Sequence, residues 1–548
     1  MPHVAPTNSF TTPRAPLADR EVDVAIVGAG FSGMYLVERL RALGFSMQGF
    51  ETGTDVGGTW YWNRYPGARC DVPSLFYSYN WSTEVRDAWR WTEKYAAQPE
   101  ILDYARHVAE QHDLRAPFLF ETRVVSARFD DASGRWTVRT DRGDVVRARF
   151  CVMATGCLSV PRDPEIAGTD DYAGPIYHTG RWPHEGVDFT GLRVGVIGTG
   201  SSSIQSIPVI AAQAAHLQVF QRTPNFSVPA QNTPLSDADI AAFDAGYADY
   251  RHMVRTAVTG IAAGDASTAN LTPEAQRGRF EALWQFGGAG FLGSLPDLLT
   301  NPESNDAACQ FIREKILATV HDRETALALL PDDHPVGSKR ICVDIGYYET
   351  FNQPHVELVN LRKAPIERIT STGVRTADAD YALDAIVFAT GFDAMTGALL
   401  NIDIAREAAD GSTALTLQDA WRDGPRTCLG LAVHGLPNLF TVTGPGSPSV
   451  LSNMLNSIEQ HVEWITGCMD YMRSHGFARI EAELDAQDTW VAHVNEVADR
   501  TLFPRANSWY IGANVPGKPR VFMPYVGQGY RQRCEAVAAN GYAGFELR

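Results

Sequence analysis

The chain lacks the cysteine patterns that mark many redox and metal-binding proteins. Its eight cysteines form no Cys-x-x-Cys pair and no His/Cys cluster at the spacing of metal ligands. We therefore expect no metal, and the sequence excludes a disulfide reductase, because that class works through a cysteine pair. Scattered thiols are typical of a reducing compartment, so we expect a cytoplasmic protein.

Positive charge and long apolar runs are also scarce. The 47 Lys and Arg against 64 Asp and Glu leave a net charge of −17, which makes nucleic acid and anionic membranes poor partners. No apolar run reaches the length of a membrane span, and residues 1–20 lack the apolar core of a signal peptide. We expect a flexible leader at 1–20 and, given 548 residues, two or three globular domains.

A glycine-rich turn between a predicted strand and a predicted helix occurs twice. The first turn follows the apolar run 22–27, and the second follows 193–197. Such glycines allow a tight turn and a close backbone approach to a pyrophosphate, which then meets the N–H groups of the helix. The residues of the two turns are Gly28, Gly30 and Gly33, and Gly198, Thr199, Gly200, Ser201, Ser202 and Ser203. Together they predict two dinucleotide-binding units.

The residue that ends the next strand differs between the two units. In the first unit this residue is Glu51, whose carboxylate can accept hydrogen bonds from the ribose hydroxyls of an adenosine. In the second unit it is Arg222, which Thr223 follows, and an arginine at this position can bind a 2′-phosphate. The sequence therefore predicts FAD at the first site and NADPH at the second.

Two Ala-Thr-Gly segments, which begin at Ala154 and Ala389, are predicted joints between the domains. We expect an α/β protein with two Rossmann-like dinucleotide-binding domains and a helical insertion in the second. The predicted bounds are an FAD-binding domain at 21–160 and 389–548, an NADPH-binding domain at 161–233 and 334–388, and a helical insertion at 234–333. Within the insertion, the glycines at 286–291 favour a tight helix connection, with a mobile loop as the alternative.

Two longer motifs extend the prediction from cofactors to a reaction. Gly57-Gly-Thr-Trp-Tyr-Trp-Asn-Arg-Tyr-Pro-Gly-Ala-Arg-Cys-Asp71 and Tyr172-Ala-Gly-Pro-Ile-Tyr-His-Thr-Gly-Arg-Trp-Pro183 resemble the paired signatures of Baeyer–Villiger monooxygenases. The short motif departs from the family only at Tyr172, where phenylalanine is usual. The resemblance runs from Asp23 to about Phe545, and the loop 444–454 looks most like the phenylacetone and steroid branch.

The resemblance implies oxidation of ketones to esters or lactones with NADPH and O2, through a C4a-peroxyflavin. Arg340 matches the active-site arginine of the family, whose permanent charge would stabilise the peroxide anion and then the oxyanion. Asp71 matches the carboxylate that orients this arginine, and Lys339 would assist Arg222 at the 2′-phosphate. We leave His178 as a structural residue.

Further positions complete the predicted site. The other predicted cofactor-binding residues are Gly58, Thr59, Trp60, Tyr77, Val124 and Trp509. The resemblance places Ser449, Val450 and Leu451 in a loop that forms part of the ketone pocket. The expected partners are a small ketone and O2, and the chain is expected to be a monomer or a small homo-oligomer.

Two other functions stay open on the sequence. One is an N- or S-oxygenating flavin monooxygenase, which shares the scaffold but needs no arginine to stabilise an oxyanion. The other is a non-catalytic flavoprotein that senses nucleotides, for which a charged docking run would be expected and none is evident. Arg340 together with Asp71 favours the ketone reaction.

Overall fold

The computed structural model describes residues 14–256 and 267–548. Residues 1–13 of the predicted leader and 257–266 of the predicted insertion lie outside that description. The strands in chain order are β1 (Arg20–Val27), β2 (Met47–Phe50), β3 (Phe118–Leu119), β4 (Val124–Asp130), β5 (Arg135–Thr140), β6 (Val145–Met153), β7 (Ile176–His178), β8 (Arg193–Ile197), β9 (His216–Gln221), β10 (Ser227–Pro229), β11 (Cys342–Asp344), β12 (Val356–Asn360), β13 (Ile366–Thr370), β14 (Gly373–Thr376), β15 (Asp380–Ala382), β16 (Ala385–Phe388), β17 (Asp403–Glu407), β18 (Thr413–Thr416), β19 (Leu439–Thr441), β20 (Ile480–Ala482) and β21 (Phe545–Leu547).

The helices connect these strands and cover their faces. They are α1 (Phe31–Ala42), α2 (Thr59–Trp62), α3 (Thr83–Asp87), α4 (Gln98–Gln111), α5 (Ser201–Ala211), α6 (Asp237–Ala245), α7 (Tyr247–Thr256), α8 (Pro273–Phe286), α9 (Gly290–Gly293), α10 (Pro302–Thr319), α11 (Arg323–Ala328), α12 (Tyr347–Thr350), α13 (Gly397–Leu400), α14 (Leu417–Ala420), α15 (Met454–His475), α16 (Leu484–Asp499) and α17 (Tyr530–Ala539). None of them, in the parts of the chain that are described, is long and apolar enough to cross a bilayer.

The first glycine-rich turn follows the central strand of a nine-stranded sheet. The strand order is β18-β17-β4-β5-β6-β1-β2-β3, and β19 pairs with β6 beside this path. Strand β1 runs parallel to both of its neighbours, β2 and β6, and its residues 24–27 are buried. Helix α15, from the last part of the chain, packs on α1, so that both ends of the sequence build this unit.

The second turn follows the central strand of a separate five-stranded sheet. Its order is β12-β9-β8-β16-β7, and all four pairings are parallel. Two parallel-rich sheets, each with a strand–turn–helix unit at its centre, confirm the predicted α/β class with two Rossmann-like units.

The segment between β10 and β11 contains helices α6–α11 and no strand among its described residues. The glycines at 286–291 lie between α8 and α9 in a close contact, because a Cβ atom on Gly288 would overlap the hydroxyl of Tyr95. This packing fits the tight connection favoured by the sequence. The domain bounds themselves stay predictions.

Candidate active site

The first glycine-rich turn is packed from two sides. Gly28 has a φ of +106°, and a Cβ atom on it would lie 2.5 Å from the carbonyl oxygen of Ala154. Gly30 lies against Gly58 of the long motif, since its Cβ would come within 3.3 Å of the Gly58 Cα. A Cβ on Gly33 would overlap the Gly28 carbonyl. A side chain at Gly28 or Gly33 would therefore overlap backbone atoms, and one at Gly30 would be tight against Gly58. The turn presents the first N–H groups of α1 to a ligand.

Glu51 connects the end of β2 to this turn. Its side chain is buried, Oε2 accepts a hydrogen bond from the Ala29 N–H at 2.8 Å, and Oε1 accepts one from the Gly53 N–H at 2.7 Å. The Thr52 hydroxyl donates a third hydrogen bond to Oε1 at 3.3 Å. A carboxylate has about four acceptor sites, so one remains for a ribose hydroxyl. The structure thus places Glu51 where the sequence predicted it.

The predicted flavin contacts lie close to this turn. Helix α2 begins at Thr59, and Trp60 Nε1 donates a hydrogen bond to the Tyr77 hydroxyl at 3.1 Å. Both rings are buried and meet edge to face with centroids 5.9 Å apart. Burial raises the pKa of Tyr77, so the phenol stays neutral. Val124 is buried at the start of β4, in the core of the same sheet.

The second turn repeats the geometry of the first. Gly198 has a φ of +119°, and a Cβ atom on it would overlap the carbonyl oxygen of Ala389. In the same way, a Cβ atom on Gly28 would overlap the carbonyl oxygen of Ala154. Each Ala-Thr-Gly joint therefore packs on the first glycine of a turn. Gly200 has open space where a Cβ would be, and Ser203 Oγ donates a hydrogen bond to the Gly198 carbonyl at 2.5 Å. This bond explains how serine replaces a third glycine.

The residues that follow Gly198 connect the turn to its surroundings. Thr199 Oγ1 donates a hydrogen bond to the Thr223 carbonyl at 2.8 Å and so joins the turn to the end of β9. Ser201 begins α5, and its hydroxyl lies 3.3 Å from Cys342 Sγ. Burial raises the pKa of Tyr65 in the long motif, and the Ser202 side chain opposes that rise.

Basic side chains gather at the end of β9. Arg222 is exposed and has no ion-pair partner among the residues that the structure describes. Burial lowers the pKa of Lys339, and the charges of Arg222 and Arg362 act in the same direction, whereas Asp333 opposes them. Arg362 was not predicted, and its only sequence signal is that it follows a strand.

Arg340 and Asp71 form a bidentate ion pair between the two nucleotide-binding units. Arg340 Nε lies 2.8 Å from Asp71 Oδ2, and Nη2 lies 2.7 Å from Oδ1. Nη1 donates to the carbonyl oxygen of Val450, which belongs to the predicted substrate loop. Burial opposes the charge, but Asp71 outweighs it and raises the pKa of Arg340 above its usual value. The guanidinium is a fixed positive charge held on three sides.

An apolar cluster lies on the Val450 side of this pair. Its members include Cys157, Ala394, Met395, Val450, Phe503, Tyr510 and Met523, with Leu451 and Trp509 partly buried against them. Burial raises the pKa of Tyr510 to about 12, and the charge of Arg340 opposes that rise. Ser449 is fully buried with a φ of +44°, a left-handed conformation that non-glycine residues adopt infrequently. The structure thus brings all three substrate-loop residues and Trp509 to the side of Arg340.

The short motif is a connecting segment. His178 Nδ1 accepts a hydrogen bond from the Gly180 N–H, and Nε2 lies 3.2 Å from the Thr390 hydroxyl. Burial lowers the pKa of His178, which fits the structural role expected for it. The Tyr172 hydroxyl donates to the Leu383 carbonyl at 3.0 Å, a bond that the phenylalanine usual in the family could not make.

Comparisons with known proteins agree with this geometry. A family model described as pyridine nucleotide-disulphide oxidoreductase matches residues 25–260. A Baeyer–Villiger monooxygenase of Pseudooceanicola batsensis is 40% identical over 532 residues, which cover 95% of each chain. A phenazine N-monooxygenase of Lysobacter antibioticus is 38% identical over 533 residues, or 96% of this chain and 97% of its own. A solved structure of oxidized steroid monooxygenase bound to NADP is 50% identical, with a TM-score of 0.91 over 96% of this chain and 99% of that one.

The fold and the two turns define a flavoprotein oxidoreductase with two dinucleotide-binding units. All eight cysteines are free and buried, so the disulfide chemistry named in the family model has no cysteine pair here. The chain belongs to the Baeyer–Villiger monooxygenase family, as its motifs predicted.

Proposed function

We propose that this chain oxidises ketones to esters or lactones with NADPH and O2. One atom of O2 enters the product beside the carbonyl carbon. The other leaves as water, which takes up the hydride of NADPH (two electrons and one hydrogen) and a proton. The observation that supports this most directly is the bidentate pair between Arg340 and Asp71.

The two turns fit the two cofactors. FAD binds at the first turn, where Gly28, Gly30 and Gly58 form a cradle that any Cβ atom would fill and Glu51 keeps an acceptor site free. NADPH binds at the second, where the space beside Gly200 is open and Arg222 is unpaired among the described residues. Bound FAD and NADPH would supply the activation of oxygen and the hydride, respectively.

Arg340 supplies the charge that the ketone reaction needs. When the carbonyl carbon is attacked, the ketone oxygen becomes an oxyanion, and a preorganised cation beside it stabilises the transition state by about 3 kcal/mol. Asp71 holds the guanidinium through two parallel bonds, and the Val450 carbonyl fixes its third side. Asp71 therefore positions the guanidinium group, and Arg340 supplies the positive charge.

Ser449, Val450 and Leu451 are proposed to line the ketone site. Their loop touches Arg340 through the Val450 carbonyl, and the surrounding side chains are apolar. An apolar wall with one cation favours ketones with hydrophobic substituents. Trp509, next to Tyr510 in the same cluster, is proposed to contact the nicotinamide coenzyme. The free, buried cysteines support a cytoplasmic location.

The direct test supplies the purified flavoprotein with NADPH, 18O2 and a panel of linear, cyclic and aromatic ketones. We expect NADPH consumption that rises with ketone, and an ester or lactone that carries one 18O atom by mass spectrometry. Consumption of NADPH without a labelled ester from any ketone would refute the proposal.

N-oxygenation is the second candidate, because a phenazine N-monooxygenase is 38% identical over nearly the same length. The two activities differ in their need for Arg340, because attack by a nitrogen lone pair creates no oxyanion on the substrate. The same assay with phenazines and tertiary amines decides between them. N-oxides without any ester would make N-oxygenation the function of this chain.

A further inference from the structure

Two arginines lie at the same edge of the second sheet. Strands β9 and β12 are parallel neighbours, with Gln221 opposite Asn360, and the Leu361 N–H donates to the Gln221 carbonyl at 2.8 Å. Arg222 directly follows β9, and Arg362 comes two residues after the end of β12. Ligands of open parallel sheets bind at the carboxyl ends of the strands, so both guanidinium groups are at the coenzyme side.

Two carboxylates lie among the cations of this edge. Asp332 Oδ1 pairs with Arg362 Nη1 at 2.7 Å. Asp333 Oδ2 is 3.5 Å from Lys339 Nζ and 3.7 Å from Arg362 Nη2. Its Oδ1 lies 2.5 Å from Nδ1 of His334. Burial acts against ionisation, but the His334 bond and the Lys339 charge hold the pKa of Asp333 below its usual value. Asp333 is therefore an anion among the cations that the 2′-phosphate would use.

We propose that Arg362 is a third contact of the NADPH 2′-phosphate and that Asp333 competes with this phosphate for Lys339 and Arg362. The inference rests on the proposed NADPH site. A 2′-phosphate brings between one and two negative charges, which are attracted by Arg222, Lys339 and Arg362 and repelled by the Asp333 carboxylate. Asp333 thus lowers the affinity for the phosphorylated coenzyme and speeds the release of NADP⁺.

Two neighbouring substitutions should then act in opposite directions on one ligand. Binding of 2′,5′-ADP and of 5′-AMP to the FAD-loaded protein is measured by isothermal titration calorimetry. Arg362→Gln should raise the Kd of 2′,5′-ADP by about tenfold, the loss of one partly exposed charge contact. Asp333→Asn should lower that Kd by roughly three- to tenfold, because a like charge is removed. Neither should change the Kd of 5′-AMP, which has no 2′-phosphate.

Arg375→Gln is the matched control, since Arg375 on β14 pairs with Asp380 and its loss changes the net charge equally. It should leave both affinities unchanged. Equal effects of Arg362→Gln on the two ligands, or none on 2′,5′-ADP, would overturn the role of Arg362. Weaker 2′,5′-ADP binding in Asp333→Asn would overturn the competition and make Asp333 an organiser of Lys339.

Arg222→Ala tests the proposed NADPH site independently of the roles of Arg362 and Asp333. This substitution should raise the Kd of 2′,5′-ADP by roughly ten- to a hundredfold and leave the Kd of 5′-AMP unchanged. An equal rise in the Kd of both ligands in Arg222→Ala would refute the proposed 2′-phosphate site. If Arg222→Ala acted as expected while the Arg362 and Asp333 variants had no effect, only the further inference would fail.

Discussion

The Tyr65 hydroxyl donates a hydrogen bond to Oε1 of Gln205 over 2.8 Å and so joins the long motif to helix α5. Gln205 Nε2 returns a bond to the Arg69 carbonyl at 3.0 Å. Between these two bonds, a Cβ atom on Gly67 would overlap the backbone carbonyl of Gln205. The motif that ends at Asp71 therefore packs against α5, the helix that follows the second glycine-rich turn.

Gly67→Ala should separate the two units and slow hydride transfer. We expect the rate of flavin reduction by NADPH to fall roughly ten- to a hundredfold, because misplacement of about 1 Å can cost that much. Stopped-flow absorbance of the flavin measures it. Gly186→Ala is the control, since Gly186 has nearly the same φ, +78° against +79°, but no atom near its Cβ position. Equal slowing in both variants would assign the effect to backbone strain.

Arg340→Ala should uncouple NADPH consumption from product formation. Flavin reduction should survive, while ester formation falls at least about a hundredfold through loss of the oxyanion contact. Asp71→Ala should show a weaker defect of the same kind, because the charge remains but loses its orientation. Ester yield per NADPH consumed, by gas chromatography, is the measurement.

A second arginine pair provides the control for this prediction. Arg193 and Asp384 also form a bidentate pair, at 2.7 and 3.0 Å, but at the exposed start of β8. Arg193→Ala should leave the ester yield unchanged. Near wild-type ester yield in Arg340→Ala would remove Arg340 from the reaction.

Val450→Phe should narrow the range of ketones. The Val450 side chain is buried in a cluster with Met395 and Tyr510, so a phenyl ring there must press on these neighbours or displace the loop. We expect turnover of bulky aromatic ketones to fall more than that of small ketones, with the flavin reduction rate intact. Leu484→Phe, at an exposed position, is the size control. An unchanged ketone profile would show that the 449–451 loop does not line the pocket.

Glu459 makes the stability of the flavin unit depend on pH. It is buried in α15, where it accepts a hydrogen bond from the Asn80 N–H. Burial raises the pKa of Glu459 to about 8, and the nearby Glu463 adds to the rise, whereas the Asn80 bond and the Arg251 charge oppose it. The folded state therefore keeps a proton on Glu459 at neutral pH that the unfolded state has lost.

Glu459→Gln should stabilise the protein increasingly as the pH rises. Between the usual pKa of 4.5 and the raised value of about 8, the wild type loses up to ~1.4 kcal/mol of unfolding free energy per pH unit relative to the variant. Above about pH 8 both states are ionised, and the difference is constant. Melting temperatures from pH 5 to 9 measure it, with exposed Glu496→Gln as the control. A difference that does not grow with pH would contradict the raised pKa.

The nucleotide turns could be predicted from sequence because their signals are local. Glycines, apolar strands and the charged residue after the next strand all lie within about 25 residues of one another. The pairing of Asp71 with Arg340 joins residues 269 positions apart, and only the family resemblance indicated it. Arg362 escaped prediction because its place beside the end of β9 depends on β12 lying next to β9, which no spacing in the chain reveals. Asp333 escaped prediction because its contact with Arg362 joins distant parts of the chain.

The order of the strands determines which part of the chain can fold first during synthesis. Strand β16, which completes the five-stranded sheet beside β8, ends at Phe388. The nine-stranded sheet must wait for β17 and β19. Strand β4 pairs early with β5 but gains its other neighbour, β17, only at residue 407, and strand β6 pairs early with β1 and β5 but gains β19 only at residue 441. Helix α15, which covers α1, ends only at His475. The half that begins the chain is therefore completed last, and a ribosome-bound chain must protect those unpaired strand edges until then.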